Sequence, residues 1–209
     1  MTIKERQAQA TRQSILDSAK KLISQYGYDQ VSVNQIIADC GVAKGTFYHH
    51  FRSKDEMMLC ISKSVYDDLS VLPENVQKQP FTKRIHWFIT SWHREMKDYN
   101  LHFARQSIKL YTNAVDCGEY GENISQMEQG LALILGFLRE ARDRGELAAD
   151  TPVDTLARAI MFSLQGSTIY HCKHGEDFDV MAWNQAYITC VLDPLLKAYI
   201  MPAGCADFA

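Results

Sequence analysis

Apolar residues recur three and four positions apart along almost the whole chain, and strand-like alternation is absent. The runs are Ile15, Ala19, Leu22 and Tyr26; Met58, Ile61, Val65 and Leu69; Phe81, Ile85, Phe88, Trp92 and Met96; Leu101, Ala104, Ile108 and Tyr111; Ile124, Met127, Leu131, Leu135 and Leu138; Val153, Leu156, Ile160 and Leu164; and Val180, Trp183, Tyr187 and Val191. Each run draws one apolar stripe along a helix of 3.6 residues per turn. With two shorter helices between residues 32 and 51, the pattern predicts an all-α protein of about nine helices.

Caps and breakers place the boundaries. Ser53 followed by Glu56 reads as a capping box that opens the fourth helix, and Pro73 and Pro80 bracket the linker after it. Gly145 after Arg142 and Arg144 reads as a helix stop with cations near the negative end. Thr151 then reads as an N-cap with Pro152 at the first helical position. Pro194, inside the last apolar run, removes a backbone donor and predicts a kink or break there.

The chain's 209 residues have room for a small domain beside a medium one, and 46% hydrophobic with 22% charged residues is ordinary globular usage. The division expected is residues 1–56 and 57–209, with a helix over 53–70 connecting them. The overall charge of −3 conceals an asymmetry. Residues 1–56 hold eight Lys and Arg against six Asp and Glu, leaving fourteen against nineteen for the remainder. A basic end on an acidic body fits a module that touches phosphate joined to one that does not. Six cysteines without a CxxC pair read as reduced thiols of a cytoplasmic protein, and no segment has the length or apolarity of an export signal or membrane span.

Residues 32–51 carry the functional pattern. Ser32 can cap a short helix with Gln35 as its box partner, and Val33, Ile36, Ile37 and Cys40 supply that helix's inner face. Gly41 stands where the chain must turn sharply, with Val42 plugging the corner. A second short helix follows, from about Ala43 to His49. Phe47 and Phe51 point inward from it, leaving Lys44, Thr46, Tyr48 and His49 outside. A short helix with a polar, basic and aromatic outer face is suited to the major groove. Ser32 and Val33, at a helix start, can offer backbone donors to a phosphate.

From Thr11 to Lys63, and most strongly over Gly41-Val42-Ala43-Lys44-Gly45-Thr46-Phe47-Tyr48-His49-His50-Phe51-Arg52-Ser53-Lys54, the chain resembles the TetR family of bacterial transcription regulators. The resemblance implies a three-helix DNA-binding head and a divergent helical body that dimerises through its last two long helices and often holds a small ligand. Carried over residue by residue, Lys44, Gly45, Thr46, Tyr48 and His49 fall on the DNA-facing helix and Lys54 near the DNA backbone. Lys44 and Gly45 are then the base-reading positions, and Thr46, Tyr48 and Lys54 the phosphate contacts. Lys4, Arg6 and Arg12 would form an N-terminal arm. The chain departs from the family pattern at Ala43, where a capping Ser is common, and at Ile37, where a small residue is common.

The expected partners are a palindromic or pseudo-palindromic double-stranded operator, a small-molecule effector and a second copy of the chain, with no membrane, metal or cofactor. Dimerisation is expected through the helices around Leu156 to Ile169 and Val180 to Val191, whose apolar content exceeds one face's needs. Aromatic and Met residues with polar tips on facing helices suggest an effector site lined by Phe88, Trp92, Met96, Tyr111, Met127, Leu131, Phe162 and Gln165. The expected function is a repressor released from its operator by an apolar or aromatic ligand. Two alternatives stand beside it: a thiol or metal sensor built on Cys117 or on His171, Cys172 and His174, and a helical enzyme, for which no nucleophile elbow or phosphate-binding glycine loop is found.

Overall fold

The computed structural model describes residues 2–98, 100–113 and 126–202. All of its regular elements there are helical: α1 Ile3–Tyr26, α2 Val33–Cys40, α3 Lys44–His50, α4 Lys54–Ser70, α5 Glu74–Gln77, α6 Phe81–Asp98, α7 Asn100–Asn113, α8 Gln126–Asp143, α9 Val153–His174, α10 Val180–Tyr187 and α11 Asp193–Lys197. The short α5 and α11 are additions to the expected nine. The helices gather into two compact units, one bounded by Met1–Val65 with Lys97–Asn123, the other by Tyr66–Met96 with Ile124–Ala209. The N-terminal unit thus continues past the boundary expected at residue 56 and takes in α7. Ser62 and Ser107 account for part of this, their buried hydroxyls 2.7 Å apart joining α4 to α7.

The N-terminal unit is built on one apolar cluster. Ile15, Leu16, Ala19 and Ile23 line one face of α1 and meet Ile36 of α2, Phe47 of α3, Phe51, and Met57, Met58 and Ile61 of α4, all buried. Each of the Ile, Leu, Phe and Met side chains stabilises the unit by roughly 1.5–3 kcal/mol relative to exposure. A polar lock sets α1 against α2: the Ser18 hydroxyl donates to Asp39 at 2.6 Å and Lys21 pairs with the same carboxylate at 2.7 Å. These two hydrogen bonds hold Asp39 below its usual pKa.

The C-terminal unit is organised by α8 and α9. Gly145, at φ 71°, ends the path out of α8. The following loop is tied to the C-terminal segment by an isolated antiparallel bridge between Leu147 and Ile200. Arg84 of α6 is nearly sealed from solvent and forms ion pairs with Glu140 at 3.1 Å and Glu146 at 2.6 Å. Glu146 also accepts the Phe81 N–H at the start of α6.

Two local expectations need correction. Thr151 does not cap α9: its hydroxyl donates back to the Ala148 carbonyl, and Pro152 takes the cap position one residue later. The Ser53 box is half formed. The Ser53 hydroxyl accepts the Glu56 N–H at 3.0 Å, while the Glu56 carboxylate takes the Arg52 N–H. Before Pro194 the helical path widens into a π segment, Ile188–Leu192, in which the Asp193 N–H reaches back five residues to Ile188. The deviation predicted at that proline is therefore a change of hydrogen-bond register.

Gly130 of α8 marks a close approach to α9 and α6. A Cβ there would lie 3.0 Å from Met161 Sδ and 3.1 Å from Trp92 Cη2, whereas one at Gly136 would meet nothing. Gly130→Ala is expected to destabilise this unit by about 1–3 kcal/mol through overpacking. Gly136→Ala should stabilise it by about 0.5–1 kcal/mol through helix propensity. Urea denaturation of the two variants, followed by circular dichroism, distinguishes them.

Candidate nucleic-acid interface

The turn between α2 and α3 follows from its residues. The Ser32 hydroxyl accepts the Gln35 N–H at 3.3 Å while Gln35 accepts the Ser32 N–H at 2.7 Å, completing the expected capping box. Gly41 ends α2 at φ 69°, ψ 26°, a left-handed conformation costly for residues with a Cβ. Its neighbour Val42 donates its N–H to the Ile37 carbonyl and packs against the apolar cluster. α3 then starts from Ala43 with no side-chain cap, as the departure from Ser implies.

The inner face of α3 is Phe47, wholly buried, with Phe51 just beyond its end at a ring distance of 5.6 Å. On the outer face Lys44, Gly45, Tyr48 and His49 are exposed and Thr46 is half-buried. Ser32 is exposed and Val33 half-buried at the start of α2. Nothing in the protein lies within 4 Å of where a Cβ on Gly45 would stand. Gly45 is the second residue of α3, in its first turn, and leaves the helix backbone uncovered there.

Lys54 is placed differently from the other candidates. Its ammonium donates to the carbonyls of Tyr28 at 2.6 Å and Val31 at 2.7 Å and sits 3.7 Å from the centre of the Tyr28 ring. Burial pushes its pKa down, with Asp29 and Asp55 opposing. Lys54 therefore pins the start of α4 to the loop before α2, a role that resemblance did not suggest. The arm expected from Lys4, Arg6 and Arg12 is instead the first part of α1, opened by a Thr2–Glu5 capping box. Arg12 lies over the Phe51 ring at 5.0 Å.

These features define a helix-turn-helix DNA-binding regulator carried on an all-helical chain. The family model for "Bacterial regulatory proteins, tetR family" matches residues 15–61. The chain is 24% identical over 208 residues to the transcriptional repressor BepR of Brucella suis, covering 90% of this chain and 93% of that protein. A TetR-family regulator from Pectobacterium atrosepticum shares its fold, with a TM-score of 0.68, 17% identity, and 97% and 99% of the two chains covered. The regulator FadR of Bacillus subtilis, solved with stearoyl-CoA, superposes with a TM-score of 0.64 at 19% identity over 85% of this chain and 95% of that one. Residues 15–61 thus match the TetR-family model, and the chain as a whole is similar in fold to a solved TetR-family regulator.

In the C-terminal unit the effector-site candidates separate. Phe88 and Trp92 are buried together, ring centres 6.0 Å apart, and Trp92 Nε1 donates to Thr168 Oγ1 at 3.3 Å. Leu131 and Gln165 are half-buried. Phe162 does not join them: it is 58% exposed, because α9 turns Ile160, Met161, Leu164, Ser167 and Thr168 to the core. The side chains of Met96, Tyr111 and Met127 lie outside the described residues, as does Cys117. His171, Cys172 and His174 go separate ways. His171 Nδ1 meets the Phe178 carbonyl at 3.1 Å, Cys172 is buried, and His174 stacks on Tyr170 at 4.1 Å. Among the described residues no group of three or more His, Cys, Asp or Glu is placed to hold a metal.

His93 is buried beside these residues, its Nε2 3.0 Å from Ser167 Oγ, and burial, with His171 as a second cause, pushes its pKa down to about 4. In the unfolded chain this histidine protonates near pH 6.5. Its contribution is thus complete above that pH and is lost as pH falls toward 4, on the order of 3 kcal/mol. Urea midpoints between pH 7 and 4 should fall accordingly, and His93→Gln should flatten that part of the profile. Lys54→Met, which leaves two carbonyls without their donor, should destabilise the N-terminal unit by about 1–3 kcal/mol in the same assay.

Proposed function

We propose that the protein is a homodimeric, cytoplasmic repressor that holds a palindromic or pseudo-palindromic duplex through α3 and the start of α2 and releases it when a largely apolar or aromatic molecule binds the C-terminal unit. The observation that carries the DNA reading is the outer face of α3, where Lys44 and Gly45 stand ready for base edges and Thr46, Tyr48 and His49 for the backbone. Gly45 lets the helix backbone approach the groove without a side chain between them. The Val33 amide, in the first turn of α2, suits the same kind of ligand, whereas the Ser32 N–H is taken by Gln35. Lys54 holds this surface in place from within.

Dimerisation is supported by the side of α9 and α10 that the core leaves uncovered. Phe162, Ile169, Tyr170 and Trp183, with Val191 of the π segment after α10, are 42–58% exposed. A two-fold axis through this face would build a four-helix bundle and set two copies of α3 about one turn of duplex, or a multiple, apart.

The ligand reading is supported by the stearoyl-CoA bound to FadR and by buried polar atoms close in sequence to the candidates. Ser91 Oγ and Gln129 Oε1 are buried and unpartnered among the described residues. Beside Phe88, Trp92, Leu131 and Gln165 they would orient a mainly apolar molecule with one polar group. Such a ligand releases DNA only by binding better to a conformation that grips DNA less well. α4 and α6, each of which passes from one unit into the other, are covalent paths for that coupling.

The decisive experiment selects duplexes from a randomised pool and compares variants on the enriched site. Gly45→Ala is expected to raise the melting temperature slightly, by the helix propensity of alanine, yet weaken specific binding tenfold or more, about 1.4 kcal/mol. Lys44→Ala should alter which sequences are enriched, and Tyr48→Phe should weaken binding to all of them. If Gly45→Ala bound as tightly as the parent, the assignment of this face would fail. A Phe162→Glu, Trp183→Glu double variant should sediment as a monomer and lose DNA affinity.

A further inference from the structure

A groove of about 590 Å³ opens in the C-terminal unit between the start of α6 and the chain around α11, apart from every residue assigned to DNA or effector. Thr82, Lys83 and His86 form its α6 wall. Asp193, Pro194 and Lys197 of α11 form the other, with Ile200 beyond them. His86 Nε2 lies 2.6 Å from Asp193 Oδ1 and ties the two walls together. The π segment Ile188–Leu192 runs directly into Asp193, and such wide turns are frequent at functional sites.

Charge in this groove is unbalanced. Asp193 stands four residues before Lys197 on α11, the spacing and order at which an acid and a lysine pair along a helix. It turns to His86 instead, and Lys197 is left exposed without a carboxylate. Lys83 is exposed too, and the residues three and four away from it, Gln79, Pro80, His86 and Trp87, include no acid. Glu146, which reaches the start of α6, is taken by Arg84 and by the Phe81 N–H. Among the described residues neither ammonium has an ion pair or a hydrogen bond, and the half-buried Thr82 hydroxyl has no partner either.

We propose that this groove binds a small organic anion, its phosphate or carboxylate group held by Lys83 and Lys197 and its apolar part resting on Pro194 and Ile200. Two ammonium groups that line one groove repel each other, and an anion between them is attracted to both. Each lysine is solvated and alone contributes little, so affinity comes from two cations on separate helices converging on one volume. That volume lies in the range of small-molecule sites. The Thr82 hydroxyl adds a donor. Asp193 is the one opposing charge in the groove, and its contact with His86 offsets part of it. A neutral or cationic molecule would gain nothing from the lysines.

Phenyl phosphate, benzoate and the neutral benzamide, each titrated at constant ionic strength, are the probes. Binding to the full-length protein is read from the His86 ring resonances, identified as those missing in His86→Gln, so the signal is local to the groove. One or both anions should shift these resonances saturably, and benzamide should not. A stronger response to phenyl phosphate assigns the groove to phosphate esters, and a stronger response to benzoate assigns it to carboxylates. Lys83→Gln and Lys197→Gln should each weaken anion binding about three- to fivefold, and the double variant about tenfold or more. Asp193→Asn keeps an oxygen for His86 but removes the opposing charge, and should strengthen binding about two- to fivefold. Disturbed packing would not produce such a gain. Circular dichroism checks that each variant keeps its helices. Benzamide binding as tightly as the anions, a double lysine variant with the parent's affinity, or His86 resonances that respond to none of the probes overturns the proposal. No duplex enters the titration, so its outcome is separate from that of the DNA-binding reading.

Discussion

A seven-residue helix with no side-chain cap has almost no stability of its own, so α3 exists because Phe47 and Phe51 are buried against α1 and α4. The outer face of α3 inherits its position from that burial. With a period of 3.6 residues, fixing the phenylalanines inward fixes Lys44, Gly45, Tyr48 and His49 outward. The surface proposed to meet DNA is thus a by-product of core packing, and its geometry is only as exact as that packing. The left-handed turn at Gly41 sets where the helix begins, and the aromatic pair sets how it is rotated.

Polar contacts then remove the remaining freedom. The apolar cluster is indifferent to small slides of α1 along α2, but Ser18 and Lys21 holding the two oxygens of Asp39 are not. Lys54 acts likewise on the other side, since a charged donor between two carbonyls accepts little displacement. The two devices differ in cost. Asp39 is open to solvent and keeps its charge easily, while the Lys54 ammonium is partly buried and keeps its charge against desolvation.

The N-terminal head was largely legible in the sequence because its local signals agree: the Ser32–Gln35 box, the glycine at a forced turn and two phenylalanines four apart all point to one geometry. What was not legible depended on distant partners. Lys54 in sequence looks like any cation at a helix start, and only the nearby carbonyls of Tyr28 and Val31 give it another role. Arg84 reads as a solvated charge on α6 until Glu140 and Glu146 arrive from α8 and the loop beyond it. By apolar type Phe162 reads with the interior aromatics, whereas helical phase decides its place. One step of 100° separates it from buried Met161. The membership of α7 in the N-terminal unit had no local signal either, since a buried serine pair is invisible until both helices are placed.

The exposure of Phe162 has a consequence for how the two functions of the chain fit together. On a lone subunit, that ring with Ile169, Tyr170 and Trp183 would expose an apolar face beside a groove of about 410 Å³ lined by Gly166, Ser167, Tyr170, Phe178 and Trp183. Gly166 carries no side chain and a Cβ there would meet nothing, so the groove is open at the middle of α9. Phe162 lies one turn away on the same helix. A knob and a hole on one patch are self-complementary under a two-fold axis, the geometry of an isologous contact. In the proposed dimer, a pocket sunk into this face would compete with the partner subunit for the same rings. An effector that leaves the dimer intact must therefore act from the other side of α9, where Trp92 meets Thr168 and Gly130 brings α8 close. That side has little slack, so an apolar ligand entering there must displace helices rather than fill a standing void, and displacement is what a coupling to DNA affinity requires.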